Sequence, residues 1–184
     1  WWQSSREVLT DYTFFGGLEM NQKKHKFVFL SEDDLIKLGV LDMDKCIHII
    51  EKTFDLVGKG DYIMGGPSEN EHGQKLYFPL EERFPGMPVA GPERRFMSMI
   101  AFLGGEFGVC GMKWYGSNIE NPKRGLPRSI LWIILNDPET AEPLSMMSAN
   151  LISSMRTGAV SGVGAKYLAK KDAEVIGLVG GGVI

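Results

Sequence analysis

Two positively charged side chains in unusual settings are the clearest chemical signal in the sequence. Lys113, in GMKWYGSN, lies in the middle of a predicted strand between Met112 and Trp114. An ammonium buried there without a partner would be costly, so this strand face is either open to solvent or lines a cleft that holds an anion. Arg156, in SSMRTGAVSG, lies early in a predicted helix. Its planar guanidinium is either solvated or available to a carboxylate or phosphate.

A glycine cluster at residues 180–182 is the second signal. It directly follows EVIGLV at residues 174–179, which predicts a buried strand. A glycine turn after a strand lets the backbone approach a pyrophosphate, although the same pattern is also typical of a plain tight turn. The third glycine of a dinucleotide-binding fingerprint and its acidic ribose ligand would fall beyond residue 184.

A long helix is predicted between these two signals, starting near Ser148. Its apolar stripe is Leu151, Met155, Ala159, Val163 and Tyr167. Three glycines interrupt this helix, at positions 158, 162 and 164. Each would cost about 1 kcal/mol relative to alanine, so close approach of another backbone or of a ligand is expected to offset the loss.

The middle of the chain predicts an antiparallel or mixed sheet. Strand-like runs occupy residues 95–103, 109–115, 129–135 and 143–147, with glycine and Asn-Asp-Pro turns between some of them. Alternation along residues 109–115 puts Lys113 and Tyr115 on one face and Trp114 on the other.

The N-terminal third predicts a short strand at residues 27–30 and two helices. Ser31 and the acids after it are typical of a helix start, and Asp42 begins a second helix that continues to about Val57. Residues 62–95 are rich in glycine, proline and charge, which predicts a long irregular connection.

Composition excludes several function classes. The net charge of −3 and pI near 5.7 provide no basic patch for nucleic acid, and no apolar run is long enough for a membrane span. The 2 cysteines and 3 histidines lack metal-ligand spacing, and the cysteines are expected to be reduced, as in a cytoplasmic protein. Residues 1–19 have neither an initiator methionine nor signal-peptide character, so we interpret them as a non-native leader before Met20.

Three segments together resemble one known family. They are GMKWYGSN, LNDPET and, above all, SSMRTGAVSGVGAKYLAKKDAEVIGLVGGG, and MSMIAFLGG is a fourth similar strand. Their order and spacing resemble those of the ornithine cyclodeaminase/μ-crystallin family over about residues 27–184. The resemblance implies an α/β protein. An N-terminal α+β substrate and dimerisation domain with a mixed sheet (residues 20–147) would be followed by the truncated start of a Rossmann domain (residues 148–184).

The resemblance also implies roles for individual residues. Lys113 matches a lysine that contacts the substrate near its carboxylate and reacting carbon, and Arg156 matches an arginine that holds that carboxylate beside the cofactor. The implied cofactor, NAD or NADP, would be contacted by Arg156, Thr157, Arg128, Ser129, Gly180 and Gly182. The family has a further substrate arginine upstream, and the sequence does not decide between Arg94 and Arg95 for it.

The implied activity is NAD(P)-dependent dehydrogenation or deamination of a small amino acid or its imine by a homodimer. The motifs look most like opine-type amino-acid dehydrogenases, with ornithine cyclodeamination as the next alternative. The third alternative is a non-catalytic protein of the μ-crystallin type, which would bind NADPH and a small ligand. RTGAV in place of RTAA, and Ala141 where the family has glycine, leave the substrate open. The family's catalytic aspartate lies further downstream, so residues 1–184 alone are expected to be an inactive fragment.

Overall fold

The computed structural model describes residues 26–91 and 93–182, in which a seven-stranded mixed sheet packs with three α-helices. The strands are β1 (Val28–Leu30), β2 (Tyr62–Met64), β3 (Gln74–Tyr77), β4 (Arg95–Leu103), β5 (Val109–Ser117), β6 (Ser129–Asn136) and β7 (Pro143–Ser148). Their order across the sheet is β1-β7-β6-β5-β4-β2, and β3 also pairs with β4. Only the β1–β7 pair is parallel among the described strands. The predicted mixed sheet is therefore confirmed.

The four central strands form an antiparallel meander, as the sequence predicts. A short turn joins β4 to β5 at Gly104 and Gly105, where Gly105 N–H donates to a carboxylate oxygen of Asp61 at 2.8 Å. At the β6–β7 turn, Ala141 adopts a left-handed backbone with φ 61°. This conformation is easier for glycine than for alanine.

The prediction of a long irregular connection over residues 62–95 is wrong in part, because this segment contains β2 and β3. Both strands pair with β4: β2 covers its C-terminal end and β3 its N-terminal end. All four residues of β3 are exposed. Without a buried face, QKLY lacks the apolar alternation by which a strand is recognised in a sequence.

The helices are α1 (Glu32–Lys37), α2 (Met43–Lys59) and α3 (Asn150–Leu168). Ser31 forms a capping box with Asp34 at the start of α1, and the Asp42 side chain accepts the Lys45 N–H at the start of α2. Gly60, with φ 77°, ends α2 in the left-handed conformation that favours glycine. The predicted starts of both N-terminal helices are confirmed.

The interior lies between one face of the sheet and α3. Met97 of β4, Leu131 of β6 and Met147 of β7 are buried on the sheet side, and Ala159 and Val163 are buried on α3. Helix α3 packs on β6, and α2 packs on α3. This arrangement places the front face of the sheet, which carries Met97 and Leu131, toward the helices.

Two of the three α3 glycines face α2. A Cβ at Gly162 would lie 2.6 Å from Ile47 Cδ1, and one at Gly158 would lie 3.5 Å from Met43 Cε. Close approach of the Ile47 side chain therefore accounts for Gly162, whereas the sequence predicts another backbone or a ligand there. No such contact exists for Gly164, where nothing lies within 4 Å of the Cβ position.

The predicted buried strand at residues 174–179 is wrong. Residues 173–180 carry no helix or strand, and the side chains of Val175 and Val179 are 90% and 105% exposed. A strand is stable only when its backbone groups pair with a neighbour, and no strand of the described residues pairs with this segment.

No helix in the described ranges is both long and apolar enough to cross a membrane.

Candidate active site

Lys113 lies at the centre of the front face of the sheet. Its neighbours across the strands are Met99 of β4 and Ile133 of β6, and its Nζ is 5.4 Å from the ring centroid of Tyr115. The side chain is half-buried. Burial among these groups lowers the pKa of Lys113, and the positive charge of Arg156 lowers it further.

Arg156 is placed by the way α3 starts. The side chain of Asn150 donates to the Ser129 carbonyl and accepts the Leu131 N–H, both at 2.9 Å. Ala149 N–H donates to the Leu131 carbonyl at 3.0 Å. These bonds continue the β7–β6 pairing beyond the end of β7 and fix the first turn of α3 against β6. Arg156 then lies two turns into the helix with an exposed side chain.

The structure brings Lys113 and Arg156 into one region. The lysine comes from the middle strand of the sheet and the arginine from the helix above it, and the two charges interact. A half-buried lysine and an exposed arginine thus lie close enough for the charge of one to affect the other, and together they concentrate positive charge on this face. A lowered pKa also makes the neutral amine of Lys113 easier to form than that of a free lysine.

Arg128 and Ser129, predicted on the cofactor side, lie at the start of β6. Arg128 forms an ion pair with Glu93, and the same carboxylate oxygen lies 3.5 Å from Nη1 of Arg95. The Ser129 hydroxyl donates to the hydroxyl of Ser117 at 3.3 Å, and Ser117 is buried. Ser129 is therefore held within the sheet, whereas Arg128 reaches across toward the segment before β4.

The other predicted cofactor residues lie apart from one another. The Thr157 hydroxyl donates to the Ser153 carbonyl of the preceding helical turn at 2.7 Å. Gly180 has φ 91°, and nothing lies within 4 Å of the Cβ position at Gly180 or Gly182. The two glycines belong to the exposed segment after α3, where the structure does not bring them to Lys113.

Tyr115 is a residue of this face to which sequence reasoning assigned no role, and Arg95, one of the two candidates for a further substrate arginine, lies on the same face. The Arg95 guanidinium carbon is 6.0 Å from the centroid of the Tyr115 ring that Lys113 also contacts. Arg94 instead donates to the Val89 carbonyl at 2.9 Å and lines a cavity on the opposite face. Strand alternation distinguishes the two arginines, but only once the register between β4 and β5 is known.

The opposite face of the sheet, called here the aromatic face, carries Phe29, Phe96, Trp114 and Trp132. The Phe96 and Trp114 rings stack with centroids 5.8 Å apart, and those of Phe29 and Trp132 lie 6.0 Å apart. Trp114 is 39% exposed and Phe29 is 54% exposed. A cavity of about 630 Å³ opens between the aromatic rings and the loops that follow β5.

Comparison with known proteins gives a family match. Residues 40–184 match the model of the ornithine cyclodeaminase/mu-crystallin family. N-((2S)-2-amino-2-carboxyethyl)-L-glutamate dehydrogenase of Staphylococcus aureus is 50% identical over 91 residues, which are 49% of this chain and 27% of that protein.

Two solved structures share the fold. An archaeal alanine dehydrogenase dimer with bound NAD superimposes with a TM-score of 0.63 and 31% identity, covering 79% of this chain and 38% of that one. Delta(1)-pyrroline-2-carboxylate reductase of Thermococcus litoralis, in complex with NADH and L-proline, gives a TM-score of 0.63 and 29% identity, covering 79% and 39%. The chain thus spans well under half the length of these relatives.

Proposed function

The chain belongs to the ornithine cyclodeaminase/mu-crystallin family, and we propose on that basis that it is the substrate-binding part of an NAD(P)-dependent dehydrogenase or deaminase of amino acids. The observation that carries this proposal is that the half-buried ammonium of Lys113 on the front face is within electrostatic reach of the Arg156 guanidinium. Relatives described as a dehydrogenase and as a reductase bound to NADH and L-proline support the same reaction class. Among these enzymes we favour an opine-type dehydrogenase as the function, because the relative with 50% identity is named for an amino-acid conjugate.

Lys113 and Arg156 would hold the substrate carboxylate between them. Contacts from two directions fix the orientation of the adjacent α-carbon, so that its C–H bond points to one side of the site. The hydride leaves from that carbon and the amine nitrogen loses a proton, which gives an imine. Lys113 would take or return this proton, since its lowered pKa favours the neutral amine more than in a free lysine. Water then adds to the imine, or an internal amine closes on it.

The glycines after α3 support a dinucleotide as the cofactor. Gly180 has a left-handed backbone, and the space around residues 180–182 is open, as a turn against a pyrophosphate requires. Gly180 and Gly182 would hold the pyrophosphate, and Arg128, Ser129, Arg156 and Thr157 would lie on the side of the nicotinamide. When bound, the nicotinamide supplies the hydride acceptor or donor of the reaction.

The division of the chain is part of the proposal. Residues 20–147 would form the substrate and dimerisation domain, and residues 148–184 would lead into a nucleotide-binding domain. The activity would then belong to a longer protein that contains this chain, and residues 1–184 alone would not turn over substrate. The open aromatic face supports a homodimer, since a second copy would cover the exposed rings of Phe29 and Trp114.

The direct test is to measure nicotinamide absorbance in the full-length protein with a panel of amino acids, amino-acid conjugates and keto acids. We expect reduction of NAD or NADP with at least one amino acid or conjugate. Tight NADPH binding without turnover of any substrate would instead favour a ligand-binding protein of the μ-crystallin type. Absence of both turnover and nucleotide binding would contradict the proposal.

A further inference from the structure

We propose that Arg95 and Arg128 form a second carboxylate site beside Lys113 and Arg156, and that the substrate therefore carries two carboxylates. The inference rests on the proposed function for the position of the first carboxylate. It adds a second anchor that determines which amino acids the site accepts.

The first observation is that the two arginines converge on one carboxylate. Arg95 is the first residue of β4 and Arg128 directly precedes β6, yet both guanidinium groups reach the same oxygen of Glu93. The Arg128 carbonyl accepts the Asn118 N–H at 2.9 Å, which fixes its backbone to the end of β5. One carboxylate thus pairs with two arginines, one at the start of β4 and one just before β6.

The second observation is where this site lies relative to Lys113. The ring of Tyr115 lies between the two sites: Lys113 Nζ is 5.4 Å from its centroid and the Arg95 guanidinium carbon is 6.0 Å from it. Lys113, Tyr115 and Arg95 all belong to the front face by the β4–β5 register. A substrate with an acid group at each end could therefore cross the Tyr115 ring and contact both cation sites.

The third observation concerns Glu93 itself. Its side chain is 46% exposed, and its backbone has φ 56°, an unfavourable conformation for a residue other than glycine. Glu93 supplies one negative charge to two guanidinium groups, so an excess positive charge remains. An exposed acid in a strained segment can be displaced, and a substrate carboxylate can take its place between the arginines.

The test measures binding rather than turnover, so that it does not depend on the proposed reaction. In the full-length protein, calorimetry would give the Kd of aspartate, glutamate, 2-aminoadipate and 2-aminopimelate, each compared with its side-chain amide. We expect at least one diacid of sufficient length to bind about tenfold or more tightly than its amide, because a charged contact is lost in the amide.

Single-residue variants test whether Arg95 and Arg128 cause the preference for the diacid over its amide. Arg95→Gln and Arg128→Gln should each reduce the ratio of the two Kd values toward one, and Glu93→Gln should strengthen binding of the diacid. Arg94→Gln is the matched control, because this neighbouring arginine lies on the aromatic face and should leave the ratio unchanged. If Arg95→Gln does not fold, Arg128→Gln and Glu93→Gln decide the question.

Two results would overturn the second site: equal binding of acid and amide throughout the series, or a preference that survives both Arg95→Gln and Arg128→Gln. Failure of the proposed function has a different signature. In that case the diacid preference and its loss in the variants would be observed, while no substrate would reduce the nicotinamide.

Discussion

The ammonium of Lys113 is disfavoured first by its burial and then by the guanidinium charge of Arg156, and both effects lower its pKa. The two residues lie on different elements, β5 and α3. Nothing in the local sequence around either residue requires them to meet. Their proximity is a product of the tertiary fold, through the anchoring of α3 on β6 by Asn150.

Removal of either cation should reduce catalysis in the full-length protein. Lys113→Ala and Arg156→Ala should each lower kcat/KM roughly 30- to 900-fold, because a charged contact to the substrate carboxylate is lost. This corresponds to a loss of about 2–4 kcal/mol of transition-state stabilisation. Steady-state kinetics by nicotinamide absorbance measure this effect. Lys59→Ala, on the exposed end of α2, is the control and should have wild-type kinetics. Wild-type values in either site variant would contradict the assignment.

The lowered pKa of Lys113 predicts a pH-dependent stability. Between this lowered pKa and the ordinary value of 10.5, the unfolded chain binds more protons than the folded chain, so the free energy of unfolding rises with pH. Relative to Lys113→Met, the wild type should therefore gain stability as the pH is raised from neutral toward 10.5. Urea denaturation at several pH values measures the difference.

Lys113→Arg is the control for this pH effect. A guanidinium stays charged over the whole range, so its stability difference from Lys113→Met should not change with pH. A wild-type curve parallel to that of Lys113→Arg would show that burial does not disfavour the ammonium.

The anchoring of α3 can be tested through Asn150. Asn150→Ala removes bonds to the backbone of both Ser129 and Leu131, and it should lower the free energy of unfolding by about 1–3 kcal/mol. Ser154→Ala removes one hydroxyl bond to the Asn150 carbonyl within the helix and should cost less. Equal effects in the two variants would mean that Asn150 does not anchor the helix.

Much of the architecture follows from local patterns in the sequence. The central strands alternate in the expected way, and Ser31 and Asp42 start α1 and α2 as their side chains predict. Strand β3 was missed because its side chains are all exposed, so pairing with β4 rather than burial holds it in place. The choice of Arg95 over Arg94 likewise requires the β4–β5 register, which is a property of two segments together.

The glycines of α3 should respond differently to alanine. Gly164→Ala adds a methyl group to open space and should stabilise the chain by about 1 kcal/mol. Gly162→Ala would place a Cβ against Ile47 and should destabilise the chain by about 1–3 kcal/mol, because the Ile47 side chain must shift to make room. Thermal unfolding compares the two directly. Stabilisation by Gly162→Ala would show that the α2–α3 contact is looser than the structure indicates.

The proposed dimer can be tested on the aromatic face. Trp114→Glu puts a charge at the centre of the exposed rings and should convert a dimer of the full-length protein to monomer, as measured by sedimentation velocity. Glu139→Lys, in the β6–β7 turn, also changes the charge of an exposed residue and should leave the dimer intact. A dimer that persists in Trp114→Glu would place the interface elsewhere.

The exposed segment after α3 has a practical consequence for handling the chain. Val175, Ile176, Leu178 and Val179 form a short apolar stretch that contains no proline and no charge, and their side chains are almost fully accessible. Such stretches readily add to the free edge of a sheet in a neighbouring molecule. We therefore expect aggregation of purified residues 1–184 to begin at residues 175–179. Ile176→Lys should suppress it without altering the core between the sheet and α3.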